Sequence, residues 1–342
     1  MKNNLAKILI TVAVCITVLL ISIHLGSVRL GFFDIGQIIL HKLFRQPLPE
    51  TITAINADIL WTIRFPRSIA SFIVGGALAV TGTIMQSVLR NPLASAYTLG
   101  VSSGASLGVA LMVVLGASLP IASNFSLPLV GFVFGLLTVF IAITIAGQVD
   151  RNLENQTIIL VGMVLSLFVG SLLTLVMALN REHLQKLIFW QLGSFSAIRW
   201  SEVLVLVAFI LPVCVYLLRY TLEMDVMTFG EESALSVGIE LKKVKLLIIS
   251  LSALLTGTAV SFVGIIGFID LIAPHIVRKL FGSSHRIVLP MSFLFGGAFM
   301  GIADIISRTI IAPSELPIGA VTALIGAPFF TYVYFYKGSR HA

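Results

Sequence analysis

Residues Arg219 to Lys245, RYTLEMDVMTFGEESALSVGIELKKVK, form the one long polar interruption in a chain that otherwise reads as membrane. They include Glu223, Asp225, Glu231, Glu232 and Glu240, from a protein with only 15 acidic residues. Thr228 and Glu231 have the spacing of a capping box, in which each side chain satisfies a backbone N–H at a helix start. Gly238 is the residue type that stops a helix in the left-handed region. A short helix from Thr228 to Gly238 is therefore expected, through Gly230 and Glu231, with Ala234, Leu235 and Val237 as an apolar edge. Held outside a bilayer, such a helix is either a docking surface or a solvated connector.

The flanks of this segment set the fold class. Hydrophobic residues make up 58% of the 342 and charged residues only 11%, with a mean hydropathy of +1.05. A soluble domain carries roughly a quarter charged residues, so a water-soluble globule is excluded. A membrane-spanning helix needs about 20 apolar residues, which leaves room for around ten spans and no second soluble domain. The net charge of +7 fits basic cytoplasmic loops better than nucleic-acid binding. Cys15 and Cys214 each lie in an apolar run and do not read as a disulfide or a metal pair.

An all-α polytopic membrane protein follows, organised as one transmembrane domain over residues 1–342. The run Leu5 to Leu25 is too long for the core of a signal peptide and reads as the first span. Residues 34–44 can form a capped amphipathic helix at the outer surface, and 181–199 is a second outer segment. Further spans are expected near 67–88, 93–115, 127–147, 157–179, 201–219, 244–266, 267–281, 289–307 and 318–337. The span at 267–281 is short for a crossing and can pack against protein alone. Asn91-Pro92 reads as a helix start, with Asn as cap and Pro in the first turn. Pro274 and Pro328 mark kinks or broken helices.

With the N-terminus inside, Lys and Arg are more numerous on inner segments than outer ones; Lys2, Lys7, Arg151, Lys242, Lys243, Lys245 and Arg278 are among them. Both termini and the 220–243 loop then face the cytoplasm. Glycines at helical spacing (Gly100, Gly104 and Gly108; Gly131 and Gly135; Gly297 and Gly301) favour close helix packing.

Candidate chemistry is sparse. Gly100-Val101-Ser102-Ser103-Gly104 matches a serine-nucleophile elbow, with His275 as its possible base, but the motif needs a strand-to-helix turn. Asp270, inside or at the edge of the bilayer, either carries protons or caps and pairs within the bundle. Asp304 precedes Arg308 by four residues, a helical ion-pair spacing. Arg64, Arg67 and Arg308 fall at the outer side, where they either snorkel to headgroups or receive an acidic partner through charge-assisted pairs. No His, Cys and carboxylate cluster suits a tight metal site. No G-x-x-x-x-G-K-[ST] phosphate loop occurs, so no ATP or other cofactor is expected on this chain, and ATP-driven work would require a separate subunit.

Several motifs, in order, resemble the iron-chelate/cobalamin ABC importer permeases. They are Arg64-Phe65-Pro66-Arg67, Gly75-Gly76-Ala77-Leu78-Ala79, Gly82 with Gln86, and Arg90-Asn91-Pro92-Leu93-Ala94 with Leu99-Gly100. Further along come Pro274-His275 with Arg278, His285-Arg286, Leu289-Pro290, Ala303-Asp304 with Arg308, Glu315-Leu316-Pro317-Ile318-Gly319 and Gly326-Ala327-Pro328-Phe329. The likeness runs from about 60 to 337. It implies a ten-helix, cobalamin-importer-permease-like bundle in a bacterial cytoplasmic membrane, with no catalytic residues of its own. The implied partners are a second permease subunit, identical or paralogous, two cytoplasmic ATPase subunits that use ATP, and an extracytoplasmic substrate-binding protein. The resemblance assigns Arg64, Arg67 and Arg308 to docking of the binding protein and the 220–240 loop to the ATPase. The family's Ala-x-x-Leu-Gly pattern is here Ala234-Leu235-Ser236-Val237-Gly238, which keeps an apolar knob. Asp270 departs from the family's usual Gly. Ferric siderophores are the leading cargo, haem or cobalamin the alternatives, and proton-coupled transport through Asp270 a different class of mechanism.

Overall fold

Backbone polar groups in lipid must be bonded within their own segment, which leaves the α-helix as the solution for apolar runs of this length. The computed structural model describes residues 2–26, 31–49, 52–117, 125–230 and 240–338, with Ala234, Ser236 and Gly238 between them; all regular structure among these residues is helical. In chain order the α-helices are α1 (Lys2–His24), α2 (Phe32–Phe44), α3 (Ala54–Ile59), α4 (Phe65–Val88), α5 (Val101–Val114), α6 (Ser126–Val149) and α7 (Asn155–Leu179). They continue as α8 (Leu184–Leu192), α9 (Trp200–Leu217), α10 (Thr221–Thr228), α11 (Leu241–Val263), α12 (Ile269–Phe281), α13 (His285–Thr309) and α14 (Ile318–Gly338).

Among the described residues, seven helical segments are long and apolar enough to cross a bilayer, and Val101–Val114 and Ile318–Tyr332 are shorter apolar helices. These nine and α12 correspond to the ten apolar segments expected. With 13 residues, α12 rises only about 20 Å, against roughly 30 Å of hydrocarbon. It lies against α4, α13 and α14 instead.

Central to the bundle is α4, buried along nearly its whole length from Pro66 to Val88. Its most extensive neighbour is α13. The two cross where a Cβ on Gly75 would overlap the Gly296 carbonyl and one on Gly296 would overlap Ala79. Likewise Gly104 and Gly108 of α5 admit Thr138 and Phe134 of α6. At all of these glycines the missing Cβ lets helices approach closely, as expected where dispersion drives association in lipid.

Three local expectations give way. The second span starts at Ala54, not 67, because α3 passes through a π-helical turn (Leu60–Arg64) into α4 without a break. Arg64 and Arg67 therefore lie within a continuous helix. Residues 93–100 are not helical span: the Asn91 side chain accepts the Leu93 N–H at 2.9 Å, making a turn, and Arg90 has φ 50°. A 3₁₀ turn (Ala96–Leu99) follows, and Gly100 at φ 90° precedes α5. Finally, Thr228 ends α10 rather than capping a new helix. Its hydroxyl donates to the Asp225 carbonyl at 2.6 Å, and Gly230, at φ 128°, breaks the chain direction. The next helical bond runs from the Ala234 N–H to the Gly230 carbonyl, and Gly238 does take the left-handed stop at φ 81°. Glu231, Leu235 and Val237 lie outside the described residues.

The amphipathic 34–44 helix is present as α2, with Asp34 accepting the Gly31 N–H at 2.9 Å and Ile35 and Ile38 buried beneath it. Segment 181–199 holds a 3₁₀ turn and α8.

Candidate functional site

Polar side chains gather at opposite ends of α4. At its N-terminal end, Arg67 donates from Nε to Asp304 Oδ1 at 2.8 Å. Its fork meets Glu315 through Nη1–Oε1 at 2.6 Å and Nη2–Oε2 at 3.0 Å. Arg308 Nε stands 3.4 Å from Asp304 Oδ2, and its Nη2 donates to the carbonyl and hydroxyl of Ser22. Arg64 donates to the His24 carbonyl at 3.1 Å. The cluster ties α1, α4, α13 and the loop before α14 together. Asp304 is 0% exposed, and an ionised carboxylate there depends on the two guanidiniums beside it. The i,i+4 partnership of Asp304 with Arg308 is as expected, but Arg67 is the closer partner. Arg64 and Arg67 are 3% and 5% exposed. Neither snorkels, and their donors are engaged inside the chain.

At the other end, Pro274 in α12 has no N–H to give the Asp270 carbonyl four residues back. Gln86 supplies one from its side chain at 3.2 Å. The Gln86 carbonyl in turn accepts Arg278 Nη1 at 2.6 Å, and Arg278 Nη2 reaches the Thr83 carbonyl and Ser87 Oγ, both at 3.1 Å. Ser87 Oγ lies 2.6 Å from His285 Nε2, and His285 Nδ1 lies 2.5 Å from Asp225 Oδ1. Asp225, His285 and Ser87 follow the order of a hydrolase triad. Ser87, however, is buried, donates to the Thr83 carbonyl at 2.9 Å and accepts from Arg278. It is a saturated network member rather than a free nucleophile.

Asp270 is 2% exposed, and its carboxylate accepts the Ser95 hydroxyl. It sits in the first turn of α12, the place for an acid facing a helix N-terminus. Of its two sequence readings, capping and pairing is the one with visible partners. His275, on the same helix, is exposed. Ser102 lies in the first turn of α5 with no strand among the described residues leading into it, so the elbow motif lacks its structural context.

Because Gln86 serves both the Asp270 carbonyl and Arg278, Gln86→Leu leaves the buried carbonyl without its donor and takes one of the acceptors of the half-buried Arg278. It is expected to destabilise the protein by about 1–3 kcal/mol, read as a lowered midpoint of thermal unfolding in detergent. An unchanged midpoint would mean the network carries no weight.

A third group of contacts holds the turn between α6 and α7. Lys245, expected on a basic surface loop, is instead 1% exposed, and its Nζ donates to the Leu153 carbonyl at 2.9 Å. Lys242 reaches the Arg151 carbonyl at 3.1 Å. Asp150 accepts the N–H groups of Glu154 and Asn152, which hold its carboxyl below the usual range.

Asp225, Ser87 and Lys245 were not singled out as site residues from sequence, and Glu315, Gln86 and His285 entered only through the family likeness. No spacing rule relates Asp225 to His285 or Arg67 to Glu315, so the partners become visible only in three dimensions.

Helical spans around a buried central helix, with polar clusters at the two ends of that helix, define a polytopic membrane protein. The chain belongs to the FecCD transport family, whose model matches residues 14–335. It is 36% identical to the uncharacterized ABC transporter permease YvrB of Bacillus subtilis, over 97% of this chain and 94% of that protein. It is 35% identical to the hemin transport system permease HmuU of Yersinia pestis, over 92% of each chain. A cobalamin import permease, BtuC of Halobacterium salinarum, is 34% identical over 85% of this chain and 77% of its own. Among solved structures, an inward-facing metal-chelate type ABC transporter superposes with a TM-score of 0.84 at 28% identity, covering 97% of this chain and 99% of that one.

Proposed function

We propose that this chain is one of the two permease subunits of a binding-protein-dependent ABC importer that moves ferric-siderophore complexes across a bacterial cytoplasmic membrane. The observation that carries the reading is the chain-long superposition on a metal-chelate type transporter. Relatives named for hemin and cobalamin transport support a bulky metal-bearing cargo and keep haem and cobalamin as the alternatives. Two separate ATPase subunits grip the 220–243 loop from the cytoplasm, at its Thr228–Gly238 stretch. They bias the two permeases between outward- and inward-open forms through contacts that differ between those forms. The passage between the permeases is weakly polar.

The cargo is tested by titrating the cognate binding protein with ferric siderophores, haem and cobalamin. Uptake of each is then followed in proteoliposomes that contain the whole transporter. Tight binding and uptake of a ferric siderophore is expected; uptake of haem or cobalamin alone would replace it as cargo.

On the outer side, the binding protein docks at the Arg64, Arg67 and Arg308 cluster. Arg67 is already occupied by Glu315, whose side chain is 36% exposed, so a visiting carboxylate competes with an internal one. Glu315→Gln is therefore expected to tighten docking several-fold in a pull-down titration, an effect that high salt weakens. Unchanged docking would remove these arginines from the interface.

A further inference from the structure

The polar segment that follows Thr228 is anchored differently on its two sides. Downstream, α11 holds the α6–α7 turn through Lys242 and Lys245. Upstream, Asp225 lies one helical turn before the segment begins, and its carboxylate grips the start of α13. It accepts the His285 N–H at 2.8 Å, the Ser284 hydroxyl at 3.2 Å and the His285 ring at Nδ1. A carboxylate at that position also faces the N-terminal end of a 25-residue helix.

His285 is 1% exposed, and its two ring nitrogens point in different directions. With Nδ1–H on the carboxylate, Nε2 is an acceptor facing Ser87 of α4, whose single hydroxyl proton serves either Nε2 or the Thr83 carbonyl. From Ser87 the bonds continue to Arg278 of α12, back to Gln86 of α4, and on to the Asp270 carbonyl at the start of α12. The Asp270 carboxylate ends the chain on Ser95, in the connector to α5. One unbroken run of polar contacts thus joins α10 to α13, α4 and α12. The Lys242 and Lys245 contacts join the other side of the segment to α6 and α7.

We propose that the Asp225–His285 contact is the joint through which movement of the 229–240 segment enters the α4–α12–α13 core, which makes both residues positioning residues for transport. The proposal rests on the reading that a separate ATPase acts on that segment. A staple needed only for stability could be apolar, since burying ionisable groups costs desolvation that apolar packing avoids. A directional carboxylate–imidazole contact instead holds α10 and α13 in one register, so that movement of one is passed to the other. On the downstream side α11 is fastened to the α6–α7 turn and also packs along α4, so displacing the segment loads the α4 core from both of its ends.

The test uses the complete transporter in liposomes, with uptake and ATP hydrolysis both measured per assembled complex, so that a poorly folding variant lowers yield without altering the ratio. Asp225→Asn and His285→Gln are each expected to reduce uptake per ATP hydrolysed by about tenfold, within the usual range of coupling energies. The double variant should be no worse than either single one, and Asp225→Glu, which keeps the charge, should recover part of the loss. Wild-type ratios in both single variants, or losses that multiply in the double variant, would overturn the joint. Leu235→Asp, within the segment, separates this failure from that of the underlying reading. If Leu235→Asp uncouples transport while the Asp225 and His285 variants do not, only the joint is wrong. A wild-type ratio in Leu235→Asp would mean that the motor does not act there and the joint has nothing to transmit.

Discussion

Arg67→Ala is expected to destabilise the folded permease by about 3–5 kcal/mol, the cost of breaking a buried ion pair from one side. Asp304 is 0% exposed and would lose its closest counter-charge, leaving only Arg308 at 3.4 Å. Glu315 would lose both of its bonds to the guanidinium. The loop before α14 would then come away from α4. Thermal unfolding in detergent should show the loss, and Arg67→Ala with Asp304→Ala should recover part of it because the fully buried carboxylate is gone, while Glu315, 36% exposed, can turn to water. Equal midpoints for wild type and Arg67→Ala would show that the cluster does not hold the helices together.

Gly82→Ala should be nearly as damaging for a different reason. A Cβ there would overlap the backbone carbonyl of Asp270. The obstacle is main chain rather than the tip of a flexible side chain, so α4 and α12 must separate. Separation lengthens the Gln86 contact to that same carbonyl and shifts Arg278 with it. Overpacking of this kind costs about 1–3 kcal/mol, at times more. The variant is expected to melt earlier and also to lose uptake per ATP, since the crossing lies on the route from Asp225. Wild-type behaviour on both measures would mean the two helices are not in contact at this point.

How far sequence reached depended on what the solvent enforces. Lipid demands long apolar helices, so α1, α6, α7, α13 and α14 were legible from apolar run length alone. The shortness of α12 was legible too. Residues 91–100 were not, because Asn followed by Pro signals a helix start and a side-chain-capped turn equally well. Here the Asn91 side chain bonds the Leu93 N–H and closes a turn. Thr228 failed for a similar reason: a hydroxyl near a helix boundary can cap the next helix or bond back into the last one. Bonding to the Asp225 carbonyl is the observed outcome. Among the charges, Asp304 with Arg308 could be paired from helical spacing, whereas Arg67 with Glu315 and Asp225 with His285 join residues remote in sequence. Lys245 looked like a surface cation because three basic residues cluster at 242–245, yet it is inserted beneath the α6–α7 turn.

The central claim is that this chain is a passive gate moved by another molecule. It is tested most directly by reconstituting the purified chain with its second permease and its binding protein in liposomes, with and without the ATPase subunits, and following cargo accumulation against a gradient. Accumulation is expected only when the ATPase is present with ATP on the side of the 220–243 loop, and it should survive collapse of the proton gradient. Uphill accumulation by the chain alone, driven by a proton gradient and needing no nucleotide, would contradict the claim.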